Sequence, residues 1–175
     1  ILEACRQAMD VIGNKFETGE MFIPELILAG EMLKEITEEV KPHLQMEAES
    51  KKLGKVVIGT VQGDIHDIAK DIVAFMLEIN GFEVTDLGVD VAPETFVQTA
   101  KETGAKIVGL SGFLTLAYDP MKETVAALKA AGMDDVKVMI GGGQVDEQIR
   151  GYTGAHAYGK DAMAAVALAK DWASA

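Results

Sequence analysis

From residue 55 onward, short apolar runs of strand length alternate five times with stretches of helical period. The runs fall at 55–61, 82–88, 106–112, 136–141 and 156–159, and the helical stretches at 67–80, 93–103, 120–131, 144–152 and 160–173. A run such as Val56-Val57-Ile58 has no polar side, so as a strand it must be covered on both faces. Strands connected through helices lie parallel, and those same helices supply the cover. The run at 156–159 is the weakest of the five.

Five such units fit a flavodoxin-like, five-stranded parallel sheet with helices on both faces, an α/β fold that binds ligands at the carboxyl ends of its strands. Residues 1–47 carry helical period only. Leu2, Cys5, Met9, Ile12 and Phe16 line one helical face, and Leu26, Ala29, Leu33, Ile36 and Val40 line a second. Pro24 sits where a first turn tolerates proline, and Pro42 closes the pattern. Two amphipathic helices cannot bury both stripes unaided, so this segment is expected to be a partial helix bundle. The chain opens in mid-pattern at Ile1, and further helical residues are expected upstream. From His43 to Gly54 the sequence is polar, with 48–54 read as a linker and 55–175 as the second domain.

An excess of 28 acidic over 16 basic residues, net charge −12, argues against a nucleic-acid partner. No apolar run approaches the roughly 20 residues of a membrane span, so no membrane association is expected. A single cysteine, Cys5, excludes an internal disulfide framework. The expected compartment is cytoplasmic.

Three segments fall at carboxyl ends of predicted strands: Gly63-Asp64-Ile65-His66-Asp67-Ile68-Ala69, Leu110-Ser111-Gly112-Phe113-Leu114-Thr115 and Ile140-Gly141-Gly142-Gly143. Glycines there allow close approach to the backbone. A histidine that ligates a metal through one ring nitrogen commonly gives its other N–H to a carboxylate, and Asp64-x-His66 can supply that arrangement. Taken alone, an Asp-x-His pair is more often a loop histidine without a role.

At these separations the three segments resemble the corrinoid proteins of anaerobic methyltransferase systems, relatives of the cobalamin-binding region of methionine synthase. The family pattern is Asp-x-His-x-x-Gly, then Ser-x-Leu, then Gly-Gly, matched here by Asp64 and His66, by Ser111, and by Gly141 with Gly142. Phe22-Ile23-Pro24-Glu25-Leu26 resembles the Phe-x-Pro-Glu-Leu signature of the family's helical cap. There are three departures. Ala69 stands for the glycine of the first motif, Phe113 for the leucine of the second, and Ala117 for a hydroxyl residue that continues a relay behind histidine and aspartate.

The resemblance implies a cobalamin, or related corrinoid, whose cobalt takes His66 as lower axial ligand, with Asp64 and His66 as the reactive pair. It implies contacts to the cofactor from Gln62, Gly63, Asp67, Ile68 and Ala69 in the first segment, from Ser111, Phe113 and Thr115 in the second, and from Gly141, Gly142, Gly143 and Tyr158. Ala69 and Phe113 narrow the slot for the nucleotide tail, so an outward shift of the loop is expected. The implied function is to carry a methyl group on cobalt as a subunit of a multi-component system, beneath a cap formed by residues 1–47. Its implied partners are a substrate-specific methyltransferase, a second methyltransferase with a tetrahydrofolate or thiol acceptor, and a reductive activator protein. The alternative is a cobalamin-dependent sensor or regulatory binding module, against which the absence of a basic cluster counts.

The remaining candidates have plainer readings. Asp86, Asp90 and His43 read as solvated surface groups. His156 is open between a tail contact and packing, and Met21 and Phe22 between core and cap. Tyr118 starts a helix.

Overall fold

The structure, a computed structural model, describes residues 8, 11–13, 15–16, 18–22, 24–25, 28–29, 32, 35–36, 52–143 and 145–174. The chain divides into two compact units, Ile1–Lys52 and Leu53–Ala175.

In the first unit Ile12, Phe16, Ala29 and Ile36 are helical, as their spacing predicts. The other stripe positions, together with Ile23, His43 and residues 48–51, lie outside the described residues. The Phe-x-Pro-Glu signature has a local physical basis. The Phe22 N–H donates to Glu25 Oε2 at 2.7 Å and the Glu25 N–H to the Phe22 carbonyl at 3.1 Å, so Glu25 reaches back to cap the helix that Pro24 opens.

In the second unit the elements run β1 (Gly54–Thr60), α1 (Ile68–Ile79), β2 (Phe82–Asp86), α2 (Pro93–Thr103), β3 (Ile107–Ser111), a single 3₁₀ turn (Thr115–Ala117), α3 (Tyr118–Ala130), β4 (Lys137–Gly141), α4 (Glu147–Thr153), β5 (Ala157–Tyr158) and α5 (Ala162–Ser174). All strand pairs are parallel, in the order β2-β1-β3-β4-β5. Helices α1 and α5 pack together, as do α2 with α3 and α3 with α4, so both sheet faces are covered. Between the sheet and the α2–α3–α4 layer lie Val57, Phe96, Val108, Met121, Leu128 and Ile140, all fully buried. Val56, Ile58 and Phe82 are equally buried. That two-sided burial is why β1 and β3 read as unbroken apolar runs.

Helix starts differ by one to three residues from their sequence pattern at α1, α3, α4 and α5, and two of them have a clear local reason. Helix α3 begins at Tyr118, not Pro120. The N–H groups of a first turn have no helical partner, so proline is tolerated anywhere within it. Helix α4 begins at Glu147 because Asp146 caps it, accepting the Ile149 N–H at 3.0 Å. The last strand pairs over two residues only, Met139 with Ala157 and Ile140 with Tyr158.

The strand order places β1 between β2 on one side and β3 on the other. Connections leave β1 and β3 toward opposite faces of the sheet, which opens a crevice between their carboxyl ends. The segments beginning at Val61 and Gly112 flank it.

Candidate functional site

Asp64 is the organising residue. Its side chain is 1% exposed. The carboxylate accepts four N–H groups: Oδ1 from the His66 backbone at 3.0 Å and the His66 ring Nδ1 at 2.7 Å, Oδ2 from the backbone of Phe113 at 2.7 Å and Leu114 at 3.1 Å. Burial pushes the carboxyl upward, but the hydrogen bonds from His66, Leu114 and Phe113 outweigh it and hold the group at about 2. Asp64 is therefore an anion, and an anion can only accept. Nδ1 of His66 must carry a proton, so the lone pair of the neutral ring tautomer lies on Nε2. The His66 side chain is 48% exposed, and its ring lies 4.7 Å from that of Phe113, inclined at 36°. The result is an imidazole oriented from behind by a carboxylate and accessible in front.

Two of these bonds join the loops after β1 and β3, since Asp64 belongs to one and Phe113 and Leu114 to the other. Thr60, fully buried at the end of β1, donates its hydroxyl to the His66 carbonyl at 3.0 Å. Ile65, Ile68, Phe113, Leu114 and Leu116, on these two loops and the helical starts that follow them, are all exposed. Large apolar side chains gathered around one accessible histidine form a binding surface. Among the described residues no group of three or more His, Cys, Asp or Glu could hold a bare metal ion. An accessible imidazole backed by a carboxylate, with exposed apolar side chains on the same two loops, fits a metal carried in a large planar ligand such as a corrinoid.

The other candidate residues fall around this point. Thr60, Ser111 and Gly141 are register partners at the ends of β1, β3 and β4, and Ser111 is buried. Gln62, Gly63, Asp67, Ala69, Thr115 and Gly143 are exposed at that end, while Tyr158 is half-buried in β5 and packs on the core. Ala69 stands in the first turn of α1. The glycines after β4 have a reason internal to the fold. A Cβ on Gly142 would lie 2.7 Å from the Gly112 carbonyl oxygen and one on Gly143 2.4 Å from that of Phe113, and both have left-handed φ, +91° and +45°. They let the β4 loop lie against the β3 loop.

Two sequence readings need correcting. Asp86 and Asp90 are not simply solvated. Asp86 Oδ1 accepts the Gly88 N–H at 2.8 Å, and its Oδ2 pairs with Lys70. Asp90 Oδ1 accepts the Gly63 N–H at 2.7 Å. The relay behind His66 does stop short of Ala117, as its missing hydroxyl implies. That residue is buried beside Gly112, and backbone N–H groups of Phe113 and Leu114 occupy the oxygen a hydroxyl would otherwise serve. Lys70 and Thr60 were not anticipated. Lys70 is 2% exposed and bonds Asp71 at 2.6 Å as well as Asp86. Burial favours its neutral form, but the two carboxylates more than offset that and keep it charged. Its spacing was a usable signal, since Lys70, Ala74 and Leu77 share the buried face of α1.

Comparison with known proteins gives a consistent picture. Residues 54–167 match the family described as B12 binding domain, and residues 1–41 match a second family of the same description. Dimethylamine corrinoid protein 1 of Methanosarcina mazei is 39% identical over 164 residues, which covers 93% of this chain and 76% of that protein. A cobalamin-binding protein of Desulfitobacterium hafniense superposes with a TM-score of 0.82 at 44% identity, covering 98% of this chain and 80% of that one. A chain of the methanol:cobalamin methyltransferase complex of Methanosarcina barkeri superposes with a TM-score of 0.87 at 27% identity, covering 98% of this chain and 66% of that one. Among the described residues no helix is long and apolar enough to cross a membrane.

Proposed function

This chain belongs to the B12-binding domain family, and from that premise we propose that it carries a methyl group on the cobalt of a bound corrinoid between two methyltransferases, with His66 as the lower axial ligand. The observation that carries the reading is the Asp64–His66 pair, which leaves one accessible lone pair in the middle of an exposed apolar surface. When bound, the corrinoid supplies the metal centre that takes up and releases the methyl group. Everything else falls to the chain. Ile65, Ile68, Phe113, Leu114 and Leu116 bind the apolar face of the macrocycle, and Ser111, Gly141 and Gly142 border its nucleotide tail. His66 Nε2 holds the cobalt, and Asp64 holds the proton on Nδ1, fixing the ring and raising its basicity as a ligand. Asp64 would keep the ring in the same orientation whether or not Nε2 is engaged.

Residues 1–47 act as the cap that shields the methyl group and moves aside for each partner, with 48–54 as the hinge. The separate family match over residues 1–41 supports this. One partner is a methyltransferase that loads the methyl group from its own substrate. The second passes the group to a tetrahydrofolate or thiol acceptor, and a reductive activator restores oxidised cobalt. The name of the M. mazei relative makes methylated amines the first donors to examine.

Reconstitution of the full chain with cobalamin tests the reading. One equivalent should co-elute with the protein on gel filtration, with the absorption spectrum of a corrinoid whose own nucleotide base has left the metal. Protein that elutes colourless contradicts the proposal.

A further inference from the structure

The loop that presents His66 is gripped from outside by a residue that its own sequence does not contain. Asp90, in the loop between β2 and α2, has φ of +53° and is the only non-glycine with positive φ among the described residues. A side-chain-bearing residue keeps that conformation only where its surroundings over-determine it. Here the surroundings do so through the His66 loop. The Asp90 N–H donates to the Asp64 carbonyl at 3.0 Å, and Asp90 Oδ1 accepts the Gly63 N–H at 2.7 Å. The two bonds bracket Gly63 and Asp64, one on the peptide before Gly63 and one on the peptide after Asp64.

The neighbours of Asp90 are themselves fixed. Val91 forms a parallel bridge with Val61 and donates its N–H to the Thr60 carbonyl at 3.0 Å, while the Thr60 N–H donates to the Gly88 carbonyl at 2.9 Å. Asp90 is thus the last rung of a short ladder that continues β1–β2 pairing past the strand ends. A standard strand conformation at residue 90 would carry its N–H and carboxylate away together.

From this we infer that Asp90 is a positioning residue: it sets the backbone of Gly63 and Asp64 so that the buried carboxylate meets the His66 ring at Nδ1. The inference rests on the proposed ligation only for its purpose, since the grip itself involves no cofactor. Two properties are needed at residue 90, tolerance of a left-handed backbone and an oxygen acceptor on a short side chain. Asparagine has both. Glycine has the first alone, and alanine has neither.

The test uses the full chain without cobalamin. Amide hydrogen exchange at Gly63, and the ¹⁵N and ¹H signals of the His66 ring, are compared in wild type, Asp90→Asn, Asp90→Gly and Asp90→Ala. Leu110 in β3 serves as the control for global stability. Asp90→Asn should keep Gly63 exchange within about threefold of wild type, with the proton still on Nδ1. Asp90→Gly should raise Gly63 exchange at least about tenfold, itself a ~1.4 kcal/mol loss of local protection, and give a mixture of ring tautomers while Leu110 is unchanged. Asp90→Ala should do the same or worse; should it fail to fold, the glycine variant decides. Wild-type exchange and a single tautomer in Asp90→Gly overturn the inference, as does an asparagine variant no better than glycine. None of these readouts involves cobalt, so failure of the grip leaves axial ligation untouched. Loss of ligation likewise leaves the grip to stand or fall on exchange.

Discussion

His66 and His156 are the same side chain used in opposite senses at opposite ends of the sheet. His66 lies beyond the carboxyl end of β1, and its Nδ1 faces the Asp64 carboxylate at 2.7 Å. His156 lies just before the amino end of β5, and its Nδ1 accepts the Val138 N–H at 3.0 Å. A carboxylate forces the proton onto Nδ1; an amide N–H forces it off. His66 therefore offers a lone pair outward, whereas His156 spends its lone pair on extending the ladder between β4 and β5 and packs edge-on to Trp172 at 6.4 Å. Composition and exposure do not separate the proposed ligand from the structural histidine in this chain. The group behind the ring does.

The strongest way to break this contrast is to remove that group. In Asp64→Asn one oxygen remains for four N–H donors, and the new amide turns its own N–H toward at least one of them. Leaving buried donors unmet should cost about 3 kcal/mol, read as a fall in the urea midpoint, and His66 should lose its fixed tautomer. A loss below about 1 kcal/mol would mean the loops find other acceptors and that Asp64 is not their organiser.

A smaller effect comes from acid. Asp64 is held at about 2 against an ordinary 3.8. A lowered carboxylate stabilises the fold above its unfolded value, and that stability drains away as pH falls from about 3.8 toward 2, a total of about 2 kcal/mol. Denaturant titrations across that window should show the loss in wild type and lack this component in Asp64→Asn. Parallel curves for the two proteins would assign the acid limb to other carboxylates.

The Lys70–Asp86 pair sharpens the contrast by showing what else the carboxyl end of the sheet depends on. Asp86→Ala leaves Lys70 buried with Asp71 as its remaining carboxylate and frees the Gly88 N–H. The expected cost is about 1–2 kcal/mol, because Asp86 itself is partly in water. A thermal midpoint equal to wild type would show that Asp71 alone satisfies the lysine.

The smallest effect belongs to His156. Burial first, then Lys137 and Lys129, lower its proton affinity. A histidine lowered in the folded state stabilises it above the unfolded value near 6.5, and loses that contribution as pH falls below 6.5 toward the depressed folded value. The wild-type melting midpoint should therefore drop slightly more between pH 7.5 and pH 5 than that of His156→Asn, which keeps an acceptor for Val138. Equal slopes would mean that the ring can protonate without losing its bond.

These differences also explain what could and could not be read in the sequence. Every strand and helix of the second unit was legible, because double-sided burial writes itself as runs such as Val56–Ile58 and Ile107–Val108. Ends were less so: α3 starts inside the 3₁₀ turn's reach at Tyr118, and β5 shrinks to two residues. Asp64 with His66 was legible because two side chains a residue apart can meet without tertiary help. Their other partners were not. Phe113 and Leu114 contribute backbone N–H groups 49 and 50 residues away, and an amide leaves no mark in composition. Asp86 and Asp90 looked solvated for the same reason. Lys70 is hard to read because a lysine on a buried face runs against polarity, although its helical spacing is plain.

Electron paramagnetic resonance of the full chain loaded with Co(II) cobalamin decides whether the imidazole that Asp64 orients is the one on the metal. With His66 as axial ligand, the wild-type spectrum carries nitrogen hyperfine splitting that disappears in His66→Ala and persists in His156→Ala, while all three proteins retain the corrinoid. A wild-type spectrum without protein nitrogen coupling, or one that His66→Ala leaves intact, would contradict the assignment of His66 to cobalt.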